Sequence, residues 1–359
     1  MSTADRIARL RDALGPTQLD AFFVSQPENR RYMSGFTGSA GWLLVSKGLA
    51  ILATDSRYTE QAESQAPDFQ IVQIAGTVGT WLPPLLEEFG EEVTRVGFES
   101  EHVTHGSYGR LVPVFSDAGK EMVSSENLVE DLRVFKDDAE KEALLKAIRV
   151  TDEAFEEVRK SLQPGQTERE VALKIEWAFR ERGAEGEAFE SIVASGPNGA
   201  MAHHRPSDDI IREGQPIVID IGAKVDGYNA DMTRTVILGE PDDTFKRIYD
   251  IVLTAQETAI ATIESGITGD DADALARNII EHAGHGEEFG HALGHGVGLA
   301  VHEGPRVGRG ASDVLREGMV FTIEPGIYIS GWGGVRIEDV VELRDGKCIT
   351  LSSATKWGG

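Results

Sequence analysis

A chain of 359 residues exceeds one typical domain and falls short of three, so two domains are expected. Hydrophobic residues make up 40% and charged residues 26%, a globular composition, and no run approaches the roughly 18 apolar residues of a membrane helix. With 35 basic and 60 acidic side chains the formal charge is −25, which repels phosphate backbones and anionic lipid, so neither nucleic acid nor a membrane surface is an expected partner.

The N-terminus, MSTADRIARL, lacks the apolar stretch of a secretory signal, and a soluble cytoplasmic protein is expected. From there to about residue 125, short apolar runs alternate with helical patterns. Ala21 to Ser25, Trp42 to Ser46, Leu49 to Thr54, Phe69 to Ile74 and Val96 to Glu99 read as strands of an α/β layer. A charged segment from about Asp137 to Leu162 then places Leu144, Ile148, Phe155 and Val158 at helical spacing. The boundary falls before it, giving domains 1–130 and 131–359. Two similar passages follow: Thr167-x-x-Glu170 after Pro164-Gly165, and Thr268-x-x-Asp271 after Gly266, each a helix start that follows one helix and precedes glycine-rich strands. A twice-used helix-helix-hairpin unit puts a site at its middle. The one cysteine, Cys348, can form neither an intrachain disulfide nor a cysteine metal site.

Three stretches carry chemistry. In Pro216 to Gly239 two strand-like arms flank Asp226-Gly227, a two-residue hairpin turn; that register sets position 220 opposite 233 and makes 231 the diagonal neighbour on the same face. Asp220, Asp231 and Thr233 then project together, and paired aspartates inside a sheet are costly to desolvate unless a cation lies between them. Next come His291, His295 and His302, with glycines on both sides of His295 that let backbone approach a crowded site. The helical His-Glu-x-x-His pattern is absent, because Gly304-Pro305 follows Glu303. Last, Glu324 and Glu338 each sit in an apolar strand, separated by the turn-rich Ser330 to Gly334, and can face one another across a hairpin. One histidine and four carboxylates make an oxygen-rich ligand set suited to manganese, cobalt, iron or zinc.

At these residues the sequence resembles the pita-bread metallopeptidases, the family of methionine aminopeptidase, aminopeptidase P and prolidase. The match runs from about residue 137 to 350 and keeps the order Asp, Asp, His, Glu, Glu. It implies an α+β pita-bread domain with pseudo-twofold symmetry behind the α/β N-terminal domain. It also implies two divalent ions, manganese ahead of cobalt, zinc or iron, on Asp220, Asp231, His295, Glu324 and Glu338. Asn29 to Gly38 and Thr54 to Tyr58 resemble the extra N-terminal domain of the Xaa-Pro-cleaving members. By the same resemblance His203, His302 and His291 match substrate-facing histidines, Arg336 the arginine beside the last glutamate, and Glu324 the proton shuttle. His204 reads as a solvent-side neighbour. A homodimer is implied, with Arg57 or Tyr58 of one subunit approaching its partner's site. The activity implied is hydrolysis of an Xaa-Pro bond in a proline-containing dipeptide, where Arg306 would grip the proline carboxylate. The alternative is an aminopeptidase P acting on longer Xaa-Pro oligopeptides. A metal-free creatinase-like hydrolase and an inactive binding module are the more remote readings, and the intact ligand set argues against both.

Overall fold

A computed structural model describes residues 1–357, and the chain divides into two compact units, Met1–Arg133 and a second from Val134 onward. The first holds one mixed sheet of six strands in the order Gln70–Gln73, Ala50–Thr54, Trp42–Ser46, Ala21–Val24, Arg95–Glu99, Glu121–Ser125. Five match the expected runs. The sixth, Glu121–Ser125, lies at the edge with no residue fully buried, which is why its polar sequence gave no apolar signal. Helices Val78–Glu87 and His105–Asp117 bring Trp81, Leu82, Leu111 and Phe115 onto Phe23, Leu44 and Ile51 of the sheet. The Asn29 to Gly38 stretch has structural work here. Glu99 accepts hydrogen bonds from Ser25 N, Gln26 N and Asn29 Nδ2, and the buried Arg30 guanidinium donates to the carbonyls of Gly38 and Gly41.

The second unit repeats one plan. Helix Asp138–Ser161 is capped by Asp137 and Glu140, and Glu168–Glu181 by the predicted Thr167 and Glu170 pair, each reciprocally. Helices Asp243–Thr262 and Gly269–His282 form the second pair. Thr268 accepts from Asp271 N as expected, but its hydroxyl also bonds the Asp271 carboxylate, so this cap is not reciprocal.

Each helix pair covers a hairpin, and the period-two alternation of the strands decides which side chains face it. Ile217, Ile219, Ile221, Met232 and Val236 join Phe155, Val158, Ile175 and Phe179 in one core. Phe321, Ile323, Val335 and Ile337 join Phe245, Ile248, Val252 and Ile280 in the other. Burying a branched side chain stabilises by about 1.5–3 kcal/mol, so these two cores fix the strand faces firmly. The residues between them, at 220, 233, 322, 324, 336 and 338, are thereby turned to the opposite face.

Candidate metal centre

The first hairpin has the predicted register. Thr233 pairs with Asp220 on the strands Pro216–Ile221 and Met232–Ile237, and the turn places Asp226 and Gly227 at φ 49° and 76°, both left-handed. Glu324 and Glu338 lie between two ladders of one register, bracketed by the pairs Ile323 with Asp339 and Gly326 with Arg336, so they stand opposite each other. His295 arrives on the short strand Gly294–Gly296, whose glycines are steric requirements. A Cβ on Gly294 would lie 1.9 Å from the Thr322 carbonyl oxygen, and one on Gly296 would lie 1.9 Å from that of Gly304.

These elements converge. Asp231, His295 and Glu338 each offer a ligand atom, all within 4.8 Å of one another. His295 Nε2 lies 3.2 Å from Glu324 Oε1 and 3.6 Å from Asp231 Oδ2. Its Nδ1 faces the Gly296 carbonyl at 3.1 Å, and a carbonyl only accepts, so Nδ1 carries hydrogen. Nε2 then aims a lone pair at two carboxylates, an arrangement that asks for a cation or a proton. Asp220, Asp231 and Glu338 are buried, while Glu324 is half-buried rather than enclosed as the sequence led us to expect.

The polar accounting points the same way. Asp220 Oδ2 takes the Arg336 guanidinium at 2.5 Å and Glu338 Oε2 takes the Thr233 hydroxyl at 2.7 Å, but Asp220 Oδ1 and Glu338 Oε1 are buried without a hydrogen-bond partner among the described residues. Burial first, and then the charges of neighbouring carboxylates, push Asp231 and Glu338 well above the usual carboxylate range; Asp220 is raised by burial against the pull of Arg336. Burial opposes the charge of Glu324 too, but when a proton rather than a cation sits on Nε2, the hydrogen bond and charge of His295 hold it down to about 2. Clustered carboxylates with orphaned oxygens and one oriented imidazole fit hard divalent cations.

A cavity of about 570 Å³ opens over the cluster, walled by Phe189, Ile192 and Val301 as well as by His203, His291 and His302. His302 is exposed, its ring edge-on to His295 at 4.3 Å between centroids, and burial followed by the His295 charge lowers its pKa. His203 is exposed on the cavity wall and near enough for its charge to bear on His302. His291 sits deeper. Its Nδ1 donates to the Ala292 carbonyl at 2.8 Å, its Nε2 takes the hydroxyl hydrogen of Tyr328 at 2.9 Å, and burial lowers its pKa, which keeps the ring neutral.

Arg336 links the parts: Nε to Thr233 Oγ1 at 2.9 Å, Nη1 to Tyr328 Oη at 2.6 Å, Nη2 to Asp220. Tyr328 escaped the sequence reading, although the alternation Glu324, Gly326, Tyr328 on the site face could have found it. Burial pushes its hydroxyl up to about 12.

Other expected residues lie elsewhere. Arg306 pairs in register with His295 and so shares its strand face, yet it is exposed and outside the cavity wall. Arg57 and Tyr58 belong to the first unit. There Arg57 is exposed and engaged bidentately by Asp55 at 2.9 and 2.7 Å, and the Tyr58 hydroxyl meets Ser39 Oγ at 2.7 Å. His204 corrects its solvent-side expectation: it turns inward and places Nε2 2.7 Å from the buried Glu168 Oε2.

A twice-used helix-pair and hairpin unit with four carboxylates and a histidine at its centre defines a divalent-metal-dependent hydrolase. Comparison with known proteins narrows the class. Residues 142–345 match the model of metallopeptidase family M24, and residues 6–135 match the creatinase/prolidase N-terminal domain. The Xaa-Pro dipeptidase of Pyrococcus horikoshii is 38% identical over 344 residues, 94% of this chain and 93% of that protein. Among solved structures, the Xaa-Pro dipeptidase of Bacillus anthracis is 40% identical with a TM-score of 0.94, covering 99% of both chains. The X-Pro aminopeptidase of Thermotoga maritima is 38% identical with a TM-score of 0.89, covering 98% of both. The chain belongs to metallopeptidase family M24, with the pita-bread fold of its prolidase neighbours.

Proposed function

We propose that this protein hydrolyses the Xaa-Pro bond of dipeptides. The observation that carries the reading is the five-donor cluster under a cavity flanked by His203 and His302, in a chain whose full-length relatives include Xaa-Pro dipeptidases. Asp220, Asp231, His295, Glu324 and Glu338 would hold two divalent ions, manganese by preference. The chemistry supplied by such ions would be a lowered pKa of bound water and polarisation of the scissile carbonyl.

The chain's own residues do the rest. Glu324, half-buried and lining the cavity, accepts a proton from the attacking water and delivers it to the leaving proline nitrogen, which as a tertiary amide has no hydrogen of its own. His203 and His302 donate to the oxygen of the tetrahedral species, each worth about 10²–10³-fold in rate. His302, whose lowered pKa favours the neutral ring, does so from an imidazole N–H. Arg336 anchors Asp220 and, through Tyr328, fixes the His291 ring.

Arg306 supplies the dipeptide preference. Its support is that it shares the strand face of His295, and that a Cβ placed on Gly308 would lie 3.8 Å from Arg306 Nε and 2.7 Å from Cβ of the cavity-lining Ala292. The test compares an Xaa-Pro dipeptide with an Xaa-Pro-Yaa tripeptide, in wild type and Arg306→Ala, with manganese supplied. Wild type should prefer the dipeptide and the variant should lose that preference through KM, because the grip serves ground state and transition state alike. Equal or better tripeptide cleavage by wild type would replace the dipeptidase with an aminopeptidase P. The reading also takes the enzyme as a cytoplasmic homodimer, its assembly to be checked by sedimentation; no helix among the described residues is long and apolar enough to cross a membrane.

A further inference from the structure

Glu168 lies outside the metal centre, and none of the chemistry above uses it. It opens the helix Glu168–Glu181 and its side chain is fully buried. It is not the helix cap, a task already met by Thr167 and Glu170. Both of its oxygens are saturated instead. Oε1 accepts from Ser195 N at 2.7 Å, Ser195 Oγ at 3.0 Å and Asn198 Nδ2 at 3.0 Å. Oε2 meets His204 Nε2 at 2.7 Å, Ser207 N at 3.1 Å and Ser207 Oγ at 2.8 Å. Burial works against the charge, but these hydrogen bonds outweigh it and hold the group below the ordinary carboxylate range.

The partners are the two ends of one segment, residues 195–207. Oε1 takes its entry and Oε2 its exit. His203 stands inside the segment, beside the clamped His204, exposed on the cavity wall, and among the described residues its ring takes part in no hydrogen bond that would fix it. Its place is therefore set by the backbone on either side.

We propose that Glu168 is a positioning residue for the peptidase reaction: by tying both ends of the 195–207 segment to one carboxylate, it holds His203 where the substrate carbonyl arrives. The inference rests on the substrate-facing role proposed for His203. A carboxylate is needed because an amide has one accepting oxygen. In Glu168→Gln the NH2 group must confront the N–H donors of Ser195 and Asn198 or that of Ser207, so the side-chain tie to one end of the segment is lost whichever way the amide turns. The helix N-terminus still holds the exit through Glu168 N to Asp209 O at 3.1 Å and Arg169 N to Ser207 O at 3.0 Å, so the variant keeps an attachment there.

The test is a double-mutant cycle of Glu168→Gln and His203→Ala, read as kcat and KM on an Xaa-Pro dipeptide, bound manganese, and amide hydrogen exchange across residues 195–207 in the metal-free protein. Glu168→Gln should lower kcat about 10- to 100-fold with metal content unchanged, the scale of a misplaced group. In the His203→Ala background it should cost less than about 3-fold, because the residue it acts through is gone. Exchange across the segment should quicken. If Glu168→Gln does not fold, His204→Ala takes its place in the cycle, with His204→Gln, which restores a donor, expected to recover the loss. Wild-type kcat in the variant, or an equal loss in both backgrounds, would overturn the proposal. Unchanged exchange would sink the clamp itself. Faster exchange together with full turnover by His203→Ala would instead sink the role of His203 and leave Glu168 a structural tie.

Discussion

Gly294→Ala tests whether backbone contact, rather than the ligands alone, sets the metal centre. The added methyl would lie 1.9 Å from the Thr322 carbonyl oxygen, 2.7 Å from its carbon and 3.0 Å from Thr322 Oγ1. Ordinary contact begins at 3.4 Å, so the strands must part by 3.4 − 1.9 = 1.5 Å. They cannot part without consequence: Thr322 Oγ1 accepts from His295 N at 3.1 Å and donates to Glu324 Oε1 at 3.2 Å, so both ligands move with it. A displacement near 1 Å at a reacting site costs on the order of 10²-fold in rate, and forcing a methyl into packed structure costs about 1–3 kcal/mol. The assay is kcat/KM with manganese supplied, together with bound metal and melting temperature. Gly290→Ala is the control, since a Cβ there meets nothing within 4 Å and the residue is exposed. We expect Gly294→Ala to lose about 10²-fold in kcat/KM and to bind metal more weakly, and Gly290→Ala to match wild type. If the two variants keep the same activity and metal, the steric reasoning is refuted.

Further outcomes follow from the same geometry. His203→Ala and His302→Ala should each lower kcat about 10²–10³-fold and retain the metal, measured by turnover and metal analysis; a loss of metal would move that histidine among the ligands. Arg336→Lys should lose catalysis and stability together, because a single ammonium cannot reach Thr233, Tyr328 and Asp220 at once; thermal melting and turnover check it, and a wild-type melting temperature would refute it. The stability of the metal-free protein should depend on pH in a definite direction. Asp231 and Glu338 have folded pKa values raised above their unfolded ones, so their contribution is present below the ordinary carboxylate range near 4 and is lost as pH rises through the raised values. Glu324, lowered to about 2, acts oppositely and only in stronger acid. The gap in melting temperature between manganese-loaded and metal-free protein should therefore widen as pH rises from about 5 to 8, and a flat gap would count against the raised carboxylates.

Much of the centre was legible because strand alternation is a strict code. The Asp226-Gly227 turn fixed one register, and that register put Asp220 against Thr233 with Asp231 beside them. The apolar flanks of Glu324 and Glu338 marked both as facing away from the helices, and the glycines around His295 marked a close approach of backbone. What stayed hidden has a common cause. Glu168 follows a helix cap, where an acidic residue is favoured by the helix dipole on the surface, so nothing in its spacing announced burial. Tyr328 sits in a strand of ordinary β-formers, and its role depends on Arg336, eight residues away across a hairpin. Glu121–Ser125 is an edge strand held by ladder bonds rather than by an apolar face.

The two halves of the second unit divide the labour differently once side chains are counted. The first repeat opens its second helix with Glu168, a buried anion that gathers the segment carrying His203. The second repeat has Gly269 at the corresponding first helical position, where a Cβ would lie 2.2 Å from the Arg306 carbonyl oxygen. There the Arg306 carbonyl and, at 2.9 Å, Ala311 Cβ would crowd any Cβ at the helix start. The same architectural slot thus meets its neighbouring segment through a buried carboxylate in one repeat and through close backbone contact in the other. A pseudo-symmetric scaffold can seat both hairpins on apolar cores while the segments packed at the two corresponding helix starts are held by different contacts.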